Sequence, residues 1–196
     1  MWILAVVAMM GVLALKEIPS GRSNTLVDLP VLYDAPAFSL TNQDGAVFTS
    51  DQLRGRPWIA DFIFTTCTSL CPMMSTHMAA LQTEVPPGVK LVSFSVDPVH
   101  DTPAALHDYA VRYSAQPGKW IFLTGDLKTQ TQVVSAMKLY FKPADGQSPI
   151  QHDQHFVLVD AQGHVRGYYD SYSADDMDHL VRDAKILDDE AAGGSQ

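Results

Sequence analysis

The sequence predicts an α/β fold in which strands and helices alternate around a buried sheet. Two apolar runs, at residues 58–64 and 89–96, are almost uninterrupted, as in strands that are covered on both faces. Each run is followed by apolar residues at helical spacing, and the elements of residues 34–188 follow the order β-α-β-α-β-α-β-β-α. With 196 residues, 46% of them hydrophobic, the chain is large enough for one domain with a full core.

The chain begins with an apolar segment. Residues 1–15 contain no charged side chain, and as a helix they would span roughly 22 Å, less than a hydrocarbon core of about 30 Å. A cleaved signal peptide is the alternative, although a basic start is missing. We expect residues 1–18 to form a short membrane anchor or signal segment that holds the domain outside the cytoplasm. Residues 19–33 are rich in Ser, Gly, Asn and Pro and are expected to form a linker.

The domain itself is expected to start with a hairpin extension. Residues 38–48 form two short strand-like segments around Asp44-Gly45, which is a strong turn signal. The later elements are expected in this order: a helical turn at 51–55, the strand 58–64, a helix ending at Glu84, the strand 89–96, a helix that starts at Pro103 and ends before Pro117, the strand 120–123, the helix 126–137, two strands within 156–169, the helix 174–187 and a flexible tail at 189–196. Asp101 is expected to be the N-cap of the helix that starts at Pro103.

The two cysteines of the chain, Cys67 and Cys71, lie in the turn between the first buried strand and its helix. Pro72 favours a helix start here, because proline is favoured at the first helical position. Both sulfurs then lie near the positive end of the helix dipole, which stabilises thiolate. Such a pair exchanges a disulfide or binds a soft metal, whereas an inert disulfide closing so short a loop stabilises little. A cysteine pair at this place in this order of elements is typical of a thioredoxin-like fold.

A further metal ligand would have to come from the seven histidines. His152 and His155 directly precede the strand that starts near Phe156, where a thioredoxin-like fold brings a residue over the cysteine pair. Two thiolates and one imidazole suit copper, and they would also suit zinc. The residues alone leave His152 and His155 as alternatives.

A second cluster of soft groups occurs on the helix after the cysteines. It contains three methionines and one histidine: Met73, Met74, His77 and Met78. Thioether and imidazole groups could form a second copper site. Methionines at helical spacing usually fill a core, so we expect these side chains to pack in the interior.

The formal net charge of −9 limits the partners of the chain. It disfavours nucleic acids and anionic membrane surfaces, which attract basic proteins. We therefore expect no nucleic-acid partner.

Several motifs occur in an order that is specific in combination. They are Asp34-Ala-Pro-Ala-Phe-Ser-Leu-Thr-Asn-Gln-Asp-Gly, Leu53-Arg-Gly-Arg-Pro, Asp61-Phe-Ile-Phe-Thr-Thr-Cys67-Thr-Ser-Leu-Cys71-Pro, Ser95-Val-Asp-Pro-Val-His-Asp-Thr-Pro, Trp120-Ile-Phe-Leu-Thr-Gly, and His152 ahead of Phe156-Val-Leu-Val-Asp-Ala-Gln-Gly. In these motifs the chain resembles the SCO/SenC family of copper-binding, thioredoxin-like proteins that serve cytochrome c oxidase assembly. The resemblance runs from about Ala35 to about Leu187.

The resemblance implies a set of site residues. Cys67 and Cys71 correspond to the thiolate ligands and redox-active pair, and the spacing to the turn glycine selects His152 over His155 as the imidazole ligand. Asp97 would be an auxiliary group or the cap of a turn. The sequence departs from the family at one point, because Gln151, instead of the usual aspartate, precedes the histidine.

The resemblance also implies a function. The chain would be a copper metallochaperone that delivers copper to the binuclear copper centre of cytochrome c oxidase, with oxidase subunit II or another copper or thiol protein as partner. Its soluble domain would face the periplasm, or an equivalent space, from a bacterial inner membrane. The alternative is a thiol–disulfide oxidoreductase that reduces cysteines of a partner protein. A third possible function is that of a peroxidase related to peroxiredoxins. It rests on the motif Thr68-Ser-Leu-Cys71-Pro72, but Phe64 stands where those proteins have proline.

Overall fold

The computed structural model of the protein describes residues 29–145 and 148–194. The predicted anchor at residues 1–18 and most of the predicted linker lie outside these residues. None of the helices in the described part of the chain combines the length and the apolar character of a membrane span.

The described residues form ten strands and four helices. The strands are β1 (Tyr33–Asp34), β2 (Ser39–Asn42), β3 (Val47–Thr49), β4 (Trp58–Ile63), β5 (Lys90–Ser95), β6 (Trp120–Thr124), β7 (Phe141–Lys142), β8 (Gln151–His152), β9 (His155–Val159) and β10 (His164–Asp170). The helices are α1 (Leu70–Glu84), α2 (Pro103–Arg112), α3 (Leu127–Ala136) and α4 (Ala174–Gly193), and a 3-10 turn covers Ser50–Leu53.

Eight strands form one mixed sheet in the order β1-β10-β9-β4-β5-β6-β2-β3. Strands β4, β5 and β6 are parallel, and β9, β10 and the predicted hairpin β2–β3 join them antiparallel. All six residues of β4 are buried, as the continuous apolar run predicts. Because β4 and β5 are parallel neighbours, the loops after them lie at the same edge of the sheet.

Both faces of this sheet carry a core. On one face α1, α2 and α4 pack against a cluster that includes Ile59 and Ile63 of β4. On the other face α3 and the N-terminal hairpin cover a cluster in which the rings of Phe62 and Phe94 stack with centroids 5.2 Å apart. Alternate residues of β4 thus serve opposite cores, and the α/β prediction is confirmed.

The N-cap of α2 is Thr102, so the expectation for Asp101 is wrong. The Thr102 hydroxyl accepts from the Ala105 N–H at 3.3 Å. Asp101 is fully buried and turns towards the sheet, where its carboxylate accepts from the Thr65 N–H at 3.1 Å and from the hydroxyls of Thr65 at 2.5 Å and Ser95 at 2.6 Å. The Ser95 hydroxyl is buried and the Thr65 groups are partly buried, so leaving them without this acceptor would be costly.

The last helix is longer than the sequence predicts. Helix α4 reaches Gly193 instead of ending at Leu187, so most of the segment expected as a flexible tail is helical. Glu190 contributes an ion pair with the buried Arg166 at 3.6 Å. This contact ties the final turns of the helix to β10.

Candidate metal centre

The two cysteines lie where the loop after β4 meets α1. Both thiols are free; Cys71 is fully buried, and Cys67 is partly exposed. The Cys71 N–H points at the Cys67 sulfur with N and Sγ 3.5 Å apart, so this sulfur accepts from one of the N–H groups that a helix start leaves without a partner. Helix α1 begins at Leu70, which makes Pro72 its third residue and not its first. Proline is tolerated there because that N–H would lack a helical partner too.

The environments of the two thiols differ. Burial raises the pKa of the Cys67 thiol, but the N–H groups of Cys71 and Ser69 and the side chains of the same two residues lower it by more, so its pKa lies below the ordinary value. Burial raises the pKa of the Cys71 thiol far above the ordinary value, and the adjacent Cys67 sulfur adds to this rise. Cys67 is therefore the more acidic and more accessible member of the pair.

His152 is brought to the cysteines by a small second sheet. Strands β7 and β8 form this two-stranded sheet, in which His152 lies opposite Phe141. The Nε2 atom of His152 lies 3.2 Å from the Sγ of Cys71, although the two residues are 81 positions apart. The structure therefore places the predicted imidazole against one of the two predicted thiols.

The orientation of the His152 ring follows from its other nitrogen. Nδ1 lies 2.7 Å from the backbone carbonyl oxygen of Asp153, and because a carbonyl only accepts, Nδ1 carries the proton. In the neutral ring Nε2 then presents its lone pair to the Cys71 thiol. The edge of the Phe64 ring packs against the imidazole at a centroid distance of 5.7 Å. Burial lowers the pKa of His152, which keeps the imidazole neutral and able to bind a metal.

The three predicted ligands are not all in mutual contact. The Cys67 sulfur accepts from the Cys71 N–H and lies 3.7 Å from the Ser69 hydroxyl. In the described part of the chain no group of three His, Cys, Asp or Glu side chains is arranged to hold a metal ion. The arrangement is a preformed pair, Cys71 and His152, with Cys67 beside it at the helix start.

The two other candidate residues, Asp97 and His155, make their side-chain hydrogen bonds away from the cysteines. The Asp97 carboxylate lies 2.6 Å from Nδ1 of His100, an exposed side chain in the same loop. His155 pairs with the Asp153 carboxylate at 2.5 Å. The structure thus brings His152, not His155, to the thiols, and it turns Asp97 towards His100.

Sequence reasoning missed the groups that orient the histidine. The carbonyl of Asp153 belongs to the backbone, so no residue type in the sequence signals it. In the sequence Phe64 stands out only as a departure from peroxiredoxins, whereas in the structure its ring packs edge-on against the imidazole.

A buried carboxyl group lies beneath the site. Asp61 of β4 is fully buried, its Oδ1 accepts from the Ser93 hydroxyl, and its Oδ2 has no hydrogen-bond partner among the described residues. Ser93 in turn accepts from the Trp120 indole at 2.8 Å. Burial raises the pKa of Asp61 to about 7, and its charge contributes to the raised pKa of Cys71.

A family profile that matches most of the domain identifies the family of this chain. The SCO1/SenC family profile matches residues 33–186. The chain belongs to the SCO1/SenC family. The resemblance found in the sequence is thereby confirmed, and so is the thioredoxin-like type of mixed α/β fold.

Relatives of known sequence or structure agree with this Sco-family assignment. The SCO1 protein homolog of Bacillus subtilis is 34% identical over 161 residues, which cover 80% of this chain and 83% of that protein. The solved structure of BsSco, described as a member of the Sco family of cytochrome c oxidase assembly proteins with a disulfide switch, is 33% identical. It matches with a TM-score of 0.70 over 82% of this chain and 96% of its own.

Copper is present in other Sco-family structures. Arabidopsis thaliana ScoI with copper bound is 26% identical and matches with a TM-score of 0.68 over 78% of this chain and 97% of its own. Copper binding is thus a property described for members of this family.

Proposed function

We propose that this protein is a copper metallochaperone that takes up one copper ion through Cys67, Cys71 and His152 and passes it to a partner protein. The observation that carries the proposal is the 3.2 Å contact between Cys71 Sγ and His152 Nε2. Two donors of one tetrahedral metal ion, with bonds of about 2.3 Å to sulfur and 2.0 Å to nitrogen, are roughly 3.5 Å apart. The distance between Cys71 Sγ and His152 Nε2 therefore needs to increase by only a few tenths of an ångström for both atoms to bind one ion.

The donor set fits copper by its chemistry. Thiolate sulfur and imidazole nitrogen are soft or borderline ligands, and three donors leave room for an incoming ligand from a partner. Cys67 is partly exposed and has a lowered pKa, so its thiolate can meet the ion first. A rotation of its side chain brings it towards the pair of Cys71 and His152. Release is the reverse exchange, in which donors of the partner replace the three ligands one at a time.

The proposed recipient is the binuclear copper centre of cytochrome c oxidase subunit II. The support is the family of the chain, because a relative of this fold is described as an oxidase assembly protein. An apolar segment at residues 1–18 would hold the domain on the periplasmic side of a bacterial inner membrane, or in an equivalent space.

Anaerobic copper titration of the reduced protein tests the proposal. The wild type is compared with Cys67→Ser, Cys71→Ser and His152→Ala, and each substitution is expected to weaken copper binding at this site by at least tenfold. A thiolate-to-copper(II) charge-transfer band should accompany binding in the wild type. His179→Ala is the matched control, since His179 is exposed on α4. If His152→Ala binds copper as tightly as His179→Ala does, His152 is not a ligand.

The unequal thiols favour a second candidate function, reduction of a disulfide in a partner protein. The Cys67 thiolate attacks one sulfur of the partner disulfide, and the partner's other sulfur leaves as a thiolate. The Cys71 thiol then loses its proton and attacks the Cys67 sulfur, which releases the second partner sulfur. Two electrons pass to the partner, and Cys67 and Cys71 end as a disulfide.

The two functions differ in their need for His152. A reductase requires both cysteines and tolerates His152→Ala, whereas the chaperone requires all three residues. Reduction of an oxidised oxidase subunit II fragment by the His152→Ala variant, measured by thiol labelling, separates them. Full reductase activity without copper binding would leave disulfide reduction as the function.

A further inference from the structure

A surface cavity lies between α1 and the start of α4. Its volume is about 370 Å³, and it is lined by Met73 and His77 of α1 and by Met177 of α4. Met73 and His77 are four residues apart, so they project from the same face of the helix. We call this space the methionine cavity.

The methionines of α1 and α4 differ in burial. Met74 and Met78 are fully buried in the core, as the helical spacing predicts. Met73 and Met177 lie at the edge of that core and are partly exposed towards the methionine cavity. The core-packing expectation therefore holds fully for Met74 and Met78, whereas Met73 packs against the edge of the core.

The histidine of the cavity is held in place by an aromatic neighbour. The His77 ring meets the ring of Phe156 edge to face, with centroids 6.4 Å apart and an interplanar angle of 82°. Phe156 is fully buried near the start of β9. Two methionines and one histidine, which come from two helices, thus line the same space.

The wall of the cavity also contains an unsatisfied polar group. Ser171 lines the cavity and is only 2% exposed, and its hydroxyl has no hydrogen-bond partner among the described residues. Leaving a buried hydroxyl without a partner is costly. Glu84 and Asp178 also line the cavity, and no lysine or arginine is among the described residues that line it, so a cation is favoured there.

We propose that the methionine cavity is a second metal site that binds copper(I) through Met73, His77 and Met177. Thioether ligands select copper(I), whereas hard cations such as Mg²⁺ and Ca²⁺ require oxygen ligands. The site shares no ligand with Cys67, Cys71 and His152, so it binds whether or not the thiol site does. Met73 is only two positions from Cys71, and the cavity therefore holds copper(I) close to the thiols.

The test uses the full chain with Cys67→Ser and Cys71→Ser, so that the thiol site does not contribute. This variant is titrated anaerobically with copper(I) against a chromophoric copper(I) chelator. We expect one equivalent to bind, and we expect Met73→Leu with Met177→Leu to weaken this binding at least tenfold. Leucine conserves volume, and Met74→Leu in the same background is the matched control that retains binding. Absence of binding, or equal binding by all three variants, overturns the proposal.

A residue-resolved measurement supports the titration, since Met1, Met9 and Met10 also carry thioethers. Methionine methyl groups are labelled with ¹³C, and silver(I) is added as a redox-inert probe for a soft cation. The methyl signals of Met73 and Met177 should shift, while that of the buried Met74 stays in place. Shifts confined to other methionines would exclude the cavity as a metal site.

Discussion

The Nε2 atom of His152 faces the sulfur of Cys71 at 3.2 Å, with the ring proton fixed on Nδ1 by a backbone carbonyl. This relationship joins a histidine on a small separate sheet to a cysteine at the start of a core helix. It places an imidazole lone pair against a thiol, so replacing the thiol proton by a metal ion leaves the ring in the same orientation.

Copper affinity should fall as the pH falls, and the thiols should cause this fall. Binding displaces the thiol protons, whereas burial lowers the pKa of His152 and keeps its imidazole neutral into mildly acid solution. We expect the apparent affinity to fall by about one to two decades per pH unit below neutral pH. Competition titrations with a copper(I) chelator at several pH values measure this slope. A pH-independent affinity would contradict thiolate ligation.

The two cysteines should react at different rates. Cys67 is partly exposed with a lowered pKa, and Cys71 is fully buried with a raised pKa. At neutral pH iodoacetamide should modify Cys67 at least tenfold faster than Cys71, because the thiolate is the nucleophile. Peptide mass spectrometry after short reaction times measures both rates, and the urea-unfolded chain, in which the difference should largely disappear, is the control. Faster modification of Cys71 would reverse the assignment.

Asp101 should matter more for stability than the helix cap beside it. Asp101→Ala leaves the N–H and hydroxyl of Thr65 and the hydroxyl of Ser95 without their buried acceptor. We expect the free energy of unfolding to fall by about 3 kcal/mol. Thr102→Ala removes only the N-cap and should lower it by about 1 kcal/mol. Urea unfolding of both variants checks the order, and a larger loss for Thr102→Ala would show that Asp101 is not the main anchor.

Asp61 should make the stability of the reduced, metal-free protein depend on pH. Burial raises the folded-state pKa of Asp61 to about 7, so the folded protein holds this proton more tightly than the unfolded chain does. The resulting contribution to the free energy of unfolding is fully present below about pH 4 and is lost as the pH rises through 7. The side chain of the Asp61→Asn variant is neutral at every pH. The free energy of unfolding of this variant, relative to that of the wild type, should rise by up to roughly 4 kcal/mol between pH 4 and pH 8. Urea unfolding at several pH values measures the difference. The exposed Asp44→Asn is the control and should show no comparable gain.

The large elements of this fold could be predicted from the sequence because their signals are local. Continuous apolar runs mark β4 and β5, and Asp44-Gly45 marks the hairpin, where Gly45 has a φ of +78°. The cysteine pair follows from its place between a strand and a helix. What escaped prediction was short or depended on distant residues. Strands β1, β7 and β8 have two residues each, which is too few for a periodic pattern.

The roles of single polar residues were the hardest to predict. Asp101 precedes a proline-initiated helix and has the sequence signature of an N-cap, but its donors come from Thr65, in the loop after β4, and from Ser95, at the end of β5. The sequence cannot show that these donors surround it. In the same way the residue types around His152 do not reveal that a backbone carbonyl orients its ring.

The small sheet of β7 and β8 shares no strand with the main sheet of the domain. His152 is therefore carried by a separate pair of strands that packs against the domain through Phe141, while Cys71 is buried in α1. The imidazole and the buried thiol thus belong to two different units of the fold. A docking protein that shifted the small sheet relative to α1 would change the spacing between these two groups.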